Sequence, residues 1–383
     1  MKTGMLAALI LIKSIIITQL LFKTGISPLL LWSCAGIVFI FTFIIAVIYS
    51  GKVKATVFDK KEYFLVLIFL ILLLIFSGCG QTKFPEVDSE TKLDYIPSKI
   101  LCTGDNIFIG EENGNKVHIL NAKNLAEKEQ FETGYKVYDI VSNGKFIYSA
   151  NKLSNSITVY NTETKQKTDI KSVGAGPVAM AIYPERKKLY VANITGSNVA
   201  IIDLNSLTVE SRISTGKWPS YLYLASDKKY LYVTCQYTNT IEIIDTEKER
   251  NVLVTIPVGI SPVSIIPIDE KNLAIIHEWE YAFNNQSNIV ILDRKKYSVV
   301  KSILTDGGVS GGELSKSKKY LYLTVPAKDK IIFIDIRKGE KVFEIQLKDD
   351  FPKWLEISPN GKLLYVAAQH SKKIIVIRTN GLI

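Results

Sequence analysis

The residues with the densest chemical potential in this chain lie in one run, His277-Glu278-Trp279-Glu280-Tyr281. A histidine beside two carboxylates can hold a metal or move a proton. A tryptophan and a tyrosine offer flat faces for stacking. No second cluster with ligand spacing accompanies the run, so a metal site is not expected. Nor does any Ser–His–Asp or Cys–His order suggest an activated nucleophile. The Gly-rich stretch from Asp306 to Gly312 precedes a strand pattern rather than a helix, which argues against phosphate binding. No cofactor motif is present. Cys102 and Cys235 are the only cysteines after Cys79, too few for a disulfide framework.

Aromatics supply a different chemistry. Trp218, Trp279 and Trp354 fall in connecting segments, as do Tyr135, Tyr138 and Tyr221, and His277 and His370 fall in similar places. If one face collects them, they form a rim able to hold a flat or extended partner. The expected ligand-binding set is therefore Tyr135, Trp218, Tyr221, His277, Glu278, Trp279, Glu280, Trp354 and His370.

The elements that must position these residues follow from an internal repeat. A strand with an aromatic or small second residue recurs as IFIGE (107–111), IYSAN (147–151), LYVAN (189–193), LYVTC (231–235), LAIIH (273–277), LYLTV (321–325) and LYVAA (364–368). The intervals between second positions are 40, 42, 42, 42, 48 and 43 residues. Each is followed by a second strand, as in VAIID (199–203) or IEIID (241–245), and flanked by an inner and an outer one. Four antiparallel strands per forty-odd residues make a propeller blade. Units near 96–134, 135–175, 176–216, 217–259, 260–308, 309–350 and 351–383 make seven. The last lacks its outer strand, and residues 89–95 are placed to supply it. The interval of 48 marks the His277 loop as an insertion. The recurring Asp203, Asp245, Asp293 and Asp335 are expected to cap turns, and His118 to be packed.

The motifs LYVAN and LYVTC, with Gly176-Pro177 and Ile260-Ser261-Pro262, resemble the YVTN family of β-propeller repeats over about 96–383. That resemblance implies a secreted or surface-attached protein. The wider seven-bladed group includes lactonases, oxidoreductase subunits and scaffolds, so fold does not select a function.

The N-terminal part is of another kind. Apolar segments span 5–22, 28–49 and 63–79, and Lys52, Lys54, Lys60 and Lys61 lie between the second and third. The second is long enough to cross a bilayer, and the lysines place that loop in the cytoplasm. The expectation is two transmembrane helices within 1–62, then a lipoprotein-like signal or third span at 63–79. Phe76-Ser77-Gly78-Cys79 resembles a lipoprotein box, with Cys79 as the lipidated residue. Residues 80–95 then form the tether, and 96–383 an extracytoplasmic all-β seven-bladed propeller at the cell membrane. The alternative for the first 56 residues is an over-extended gene start.

The formal charge of +10 includes seven lysines against two acids in residues 1–78. The remainder is only mildly basic, which disfavours nucleic acid as a partner. The sequence thus favours a binding module for a protein, peptide or glycan. The alternative is a propeller enzyme, either a lactonase-like hydrolase or an oxidoreductase subunit. Titratable groups converging on the channel would distinguish the two.

Overall fold

The computed structural model describes residues 84–278, 287–305 and 307–380. The three apolar N-terminal segments, Cys79, Trp279 and Glu280 lie outside them. Among the described residues no helix is long and apolar enough to cross a membrane.

Seven four-stranded antiparallel sheets make up the fold. Blade 1 comprises β2 (Pro97–Thr103), β3 (Asn106–Glu111), β4 (Lys116–Asn121) and β5 (Glu127–Glu132). Blade 2 comprises β6 (Val137–Ser142), β7 (Phe146–Asn151), β8 (Ser156–Asn161) and β9 (Lys167–Ile170). Blade 3 runs from β10 (Pro177–Tyr183) through β11 (Lys188–Asn193) and β12 (Asn198–Asp203) to β13 (Thr208–Ser214). In blade 4 the strands are β14 (Pro219–Leu224), β15 (Tyr230–Cys235), β16 (Thr240–Asp245) and β17 (Val252–Pro257). In blade 5 they are β18 (Pro262–Pro267), β19 (Asn272–His277), β20 (Ser287–Asp293) and β21 (Ser298–Thr305). Blade 6 has β22 (Gly312–Leu314), β23 (Tyr320–Val325), β24 (Lys330–Asp335) and β25 (Glu340–Gln346). Blade 7 has β26 (Pro352–Ile357), β27 (Leu363–Ala368) and β28 (Lys373–Arg378).

The fourth strand of blade 7 is β1 (Glu86–Lys92), which pairs antiparallel with β28 from Glu86↔Arg378 to Lys92↔Lys373. Each inner strand packs against the inner strands of both neighbouring blades, and β2 packs against β26. The sheets therefore close into a ring, fastened by strands from both ends of the described chain.

The repeat's aromatic position explains why blades must stack. Phe108, Tyr148, Tyr190, Tyr232, Tyr322 and Tyr365 are almost fully buried between sheets. A blade alone would leave these rings in water, and each buried ring is worth roughly 2–3 kcal/mol. Their hydroxyls reach polar partners: Tyr365 donates to the Ala122 carbonyl at 3.0 Å, and Arg294 Nε donates to Tyr232 at 3.1 Å. At the closing seam His118 lies between Glu111 and Glu127, 3.0 Å from an oxygen of each, with the Tyr95 ring stacked on it at 3.7 Å.

Turns are set locally. Asp203, Asp245, Asp293 and Asp335 each accept two backbone N–H groups two and three residues ahead, at 2.7–3.2 Å. These are Asx turns, the role assigned from their recurrence.

Candidate functional site

Two register positions recur along the inner strands. The first holds Lys99, Asp139, Ala179, Tyr221, Ser264 and Trp354, counted from the shared pairing after the bulge in each inner strand. The second, two residues on, holds Leu101, Val141, Ala181, Tyr223, Ile266, Glu313 and Glu356, each paired with the aromatic-or-small position of its own blade. Charge is therefore confined to blades 6, 7, 1 and 2. In blades 3, 4 and 5 the same positions hold Ala179, Ala181, Tyr221, Tyr223, Ser264 and Ile266, with Ala179, Ala181 and Ile266 packed into the cores between blades.

Lys99 stands over the Trp354 ring, 5.3 Å from its centroid. It makes no ion pair with a described carboxylate, yet its ammonium acts electrostatically on Asp139, Glu313 and Glu356. Burial by itself would lower its pKa, but Asp139, Tyr221, Glu356 and Glu313 together raise it, so Lys99 stays charged. Burial raises Asp139, opposed by Lys99 and by the Met180 N–H, which donates to its Oδ2 at 2.8 Å.

Glu313 is pushed up to about 7 by burial, against Lys99 and Lys316. Glu356 is pushed up to about 8 by burial and by the charge of Glu313, against Lys99 and the Cys102 N–H. Two carboxyls so placed hold about one proton between them near neutrality. Burial also pushes the Cys102 thiol up to about 12, so it is no nucleophile at neutral pH.

The channel mouth is bound by Glu278, the first residue after β19. Its Oε1 accepts from Ser310 Oγ of blade 6 and Lys353 Nζ of blade 7, both at 2.6 Å. Beside it Tyr138 meets Trp354 edge-on at 6.1 Å, and Lys152 lies 4.7 Å from the Tyr138 centroid. Lysines and aromatic faces thus alternate from mouth to channel wall.

Outside the mouth, a repeated backbone device presents side chains. The residue just before the inner strand takes a left-handed φ in five blades: Lys136, Gly176, Trp218, Ser261 and Phe351. At Trp218 (φ 59°) this turns the indole outward, 49% exposed, against Tyr237, which is 59% exposed, with ring centroids 5.2 Å apart. Lys217 lies over Tyr237 at 5.5 Å, and Ile260 is exposed on the next blade. Left-handed φ at a bulky residue costs roughly 1–3 kcal/mol.

The residues expected from sequence separate into groups. Tyr221 and Trp354 line the channel, and Glu278 ties its mouth. Trp218 and Tyr135 are exposed on the rim, the latter with its hydroxyl donating to the Asn113 carbonyl at 3.3 Å. His370 is exposed, stacked on Phe351 at 4.5 Å, with Asp349 3.6 Å away. His277 departs from its expected loop position. It ends β19, as the LAIIH strand at 273–277 implied, pairs with Pro262 and is 3% exposed, so the loop begins after it. Among the described residues no group of three or more His, Cys, Asp or Glu could hold a metal. A separate cleft of about 700 Å³ at one end of blade 2 is lined by Ser154, Asn155, Asp169 and Lys171.

Sequence reasoning missed Lys99, Asp139, Glu313 and Glu356. A signal was present: each is a charge inside an inner strand (PSKIL, VYDIV, GEL, WLEI) where other blades carry Ala, Tyr or Ile.

The YNCE-like beta-propeller family matches residues 92–273, and the Lactonase, 7-bladed beta-propeller family matches residues 282–381. Antigen Lp49 of Leptospira interrogans is 22% identical over 191 residues, 49% of this chain and 41% of that relative's length. The chain thus matches under half of that curated relative. A chain of Kuenenia stuttgartiensis Hydrazine Synthase superposes with a TM-score of 0.66 at 21% identity, covering 76% of this chain and 98% of its own. At that identity the likeness speaks for the fold alone.

Proposed function

We propose that this chain, whose family matches and seven-bladed ring fit a YVTN-type β-propeller protein, is a binding module. Its ligand, a protein, peptide or glycan, rests on the Trp218–Tyr237 rim and reaches into the axial mouth. The same reading anchors it in the membrane by residues 1–79, with the propeller on the extracytoplasmic side.

One observation carries the binding proposal. Residues from three blades, distant in sequence, converge at the mouth as alternating aromatic faces and charges: Lys152, Tyr138, Trp354, Lys99 and Asp139. Aromatic rings contribute contact area at small entropic cost, and the flanking charges orient the partner.

The test screens the full-length chain on peptide and glycan arrays beside a Trp218→Gly, Tyr237→Ala variant. Glycine takes the left-handed φ of position 218 without strain, so the variant should melt as the wild type does. Loss of the retained array ligands in the variant supports the rim. Unchanged retention removes it.

A catalytic reading is favoured by the neighbouring Glu313 and Glu356, whose proton affinities near neutrality suit acid–base work. Turnover of lactones that is lost in Glu356→Gln would support a lactonase-like hydrolase. Turnover that survives the substitution would not belong to this site.

A further inference from the structure

Glu313 and Glu356 occupy the same register position on adjacent inner strands, β22 and β26, which pack against one another. In the other blades that position holds Leu101, Val141, Ala181, Tyr223 and Ile266, so the two carboxylates form an isolated acidic sector of a mostly apolar ring. Among the described residues no side chain donates a hydrogen bond to either one. The Cys102 N–H serves Glu356.

The charges that act on this sector come from every side. Lys99 on β2 and Lys316 in the turn after β22 are positive, and Asp139 on β6 is negative. Lys99 is the cation that acts on both glutamates, yet it forms an ion pair with neither and lies over the Trp354 ring at 5.3 Å. Asp139 draws on the same ammonium, so one lysine serves three carboxylates. Of the aromatics on the other inner strands, Tyr221 of blade 4 is the one that feels Lys99, Glu313, Asp139 and Glu356 together. The sector is thus short of a positive charge and has the Tyr221 and Trp354 rings near its lysine. A cation suits each of these features: carboxylates attract it, and aromatic faces hold it from the side.

We propose that Glu313 and Glu356 receive a cationic end group of the ligand, a primary ammonium or a guanidinium, entering the channel past Trp354 and Tyr138. This rests on the binding reading above and names the chemistry of the part that enters. The cation takes the place of the proton held between the carboxyls, so occupancy expels that proton to solvent: R–NH₃⁺ enters, one carboxyl O–H bond breaks, and H⁺ leaves. No electrons move. A neutral or anionic group gains nothing from the exchange.

The probes are butylammonium, butan-1-ol and butyrate, which share a carbon chain and differ in charge. The full-length chain carries Trp218→Phe and Trp279→Phe, leaving Trp354 to report by fluorescence against the constant signal of Trp32. Proton release is followed in weakly buffered solution at pH 7.5. The expected result is saturable quenching by butylammonium alone, with release approaching one proton per chain, and at least a tenfold weakening with release abolished in Glu356→Gln. Equal quenching by butan-1-ol overturns the inference but leaves the channel as a ligand site. No response to any probe overturns it as well, and the array comparison of the rim variant then judges the binding reading separately. Butylammonium quenching without proton release also sinks it, since the cation would be bound elsewhere near Trp354.

Discussion

Glu356→Gln isolates the cost of the acidic sector to the fold. The carboxyl of Glu356 is held from its ordinary 4.5 up to about 8, chiefly by burial and then by the charge of Glu313. Tenfold in a protonation equilibrium is ~1.4 kcal/mol, so ionising this group in the channel costs at most ~5 kcal/mol. Glu356 is half-buried, so solvent screens part of this, and we expect ~2 kcal/mol. The direction follows from linkage: a carboxyl with a raised folded pKa binds more protons folded than unfolded. Its favourable contribution is complete below pH 4.5 and is lost as pH rises through about 8. Glutamine mimics the protonated acid in shape and polarity but never ionises. Thermal melts of the two full-length chains should therefore coincide near pH 5. Near pH 8.5 the variant should melt higher, by roughly 4–8 °C at ~2–4 °C per kcal/mol for a domain of this size. An equal difference at both pH values would refute the reasoning, because a simple packing change does not titrate. A lower melting point for the variant at pH 8.5 would show that ionised Glu356 is stabilised by a partner.

Other outcomes follow from the same structure. Lys99→Met removes the ammonium that serves Asp139, Glu313 and Glu356. It should destabilise the fold by roughly 3 kcal/mol at pH 8 and less at pH 5, in paired urea titrations. Deleting residues 85–95 removes β1 and leaves β28 as an open edge; the melting point should fall by more than about 10 °C, and an unchanged melt would reject closure by this strand. Asp335→Ala frees the Arg337 and Lys338 amides of their acceptor and should cost ~1 kcal/mol by denaturant midpoint, with no effect on the Trp354 signal.

The ring and the residues of its rim were legible in the sequence to different depths. Period-two alternation with an aromatic at a fixed place, as in LYVAN and LYVTC, is a local property, and it determined the blades, their number and the Asx turns after the third strands of blades 3 to 6. Strand pairing within a blade joins residues a few positions apart, so a single repeat already contains its own register. The lead-in turn that exposes Trp218 is also written locally, as a residue before proline repeated from blade to blade. Closure by β1 could be anticipated because the count of strands left one blade incomplete.

Only the tertiary structure decided what the axis holds. Lys99 and Glu356 are about 250 residues apart in sequence, and no spacing rule links them. They meet because the ring brings the first and last blades together. The bulge that follows the first residue of an inner strand is marked by proline in most blades, but which charged residue then meets which is set by the neighbouring blades. Proton affinities near neutrality at Glu313 and Glu356 are a further step removed, since they arise from the enclosure and mutual repulsion that adjacent blades impose once the ring has closed.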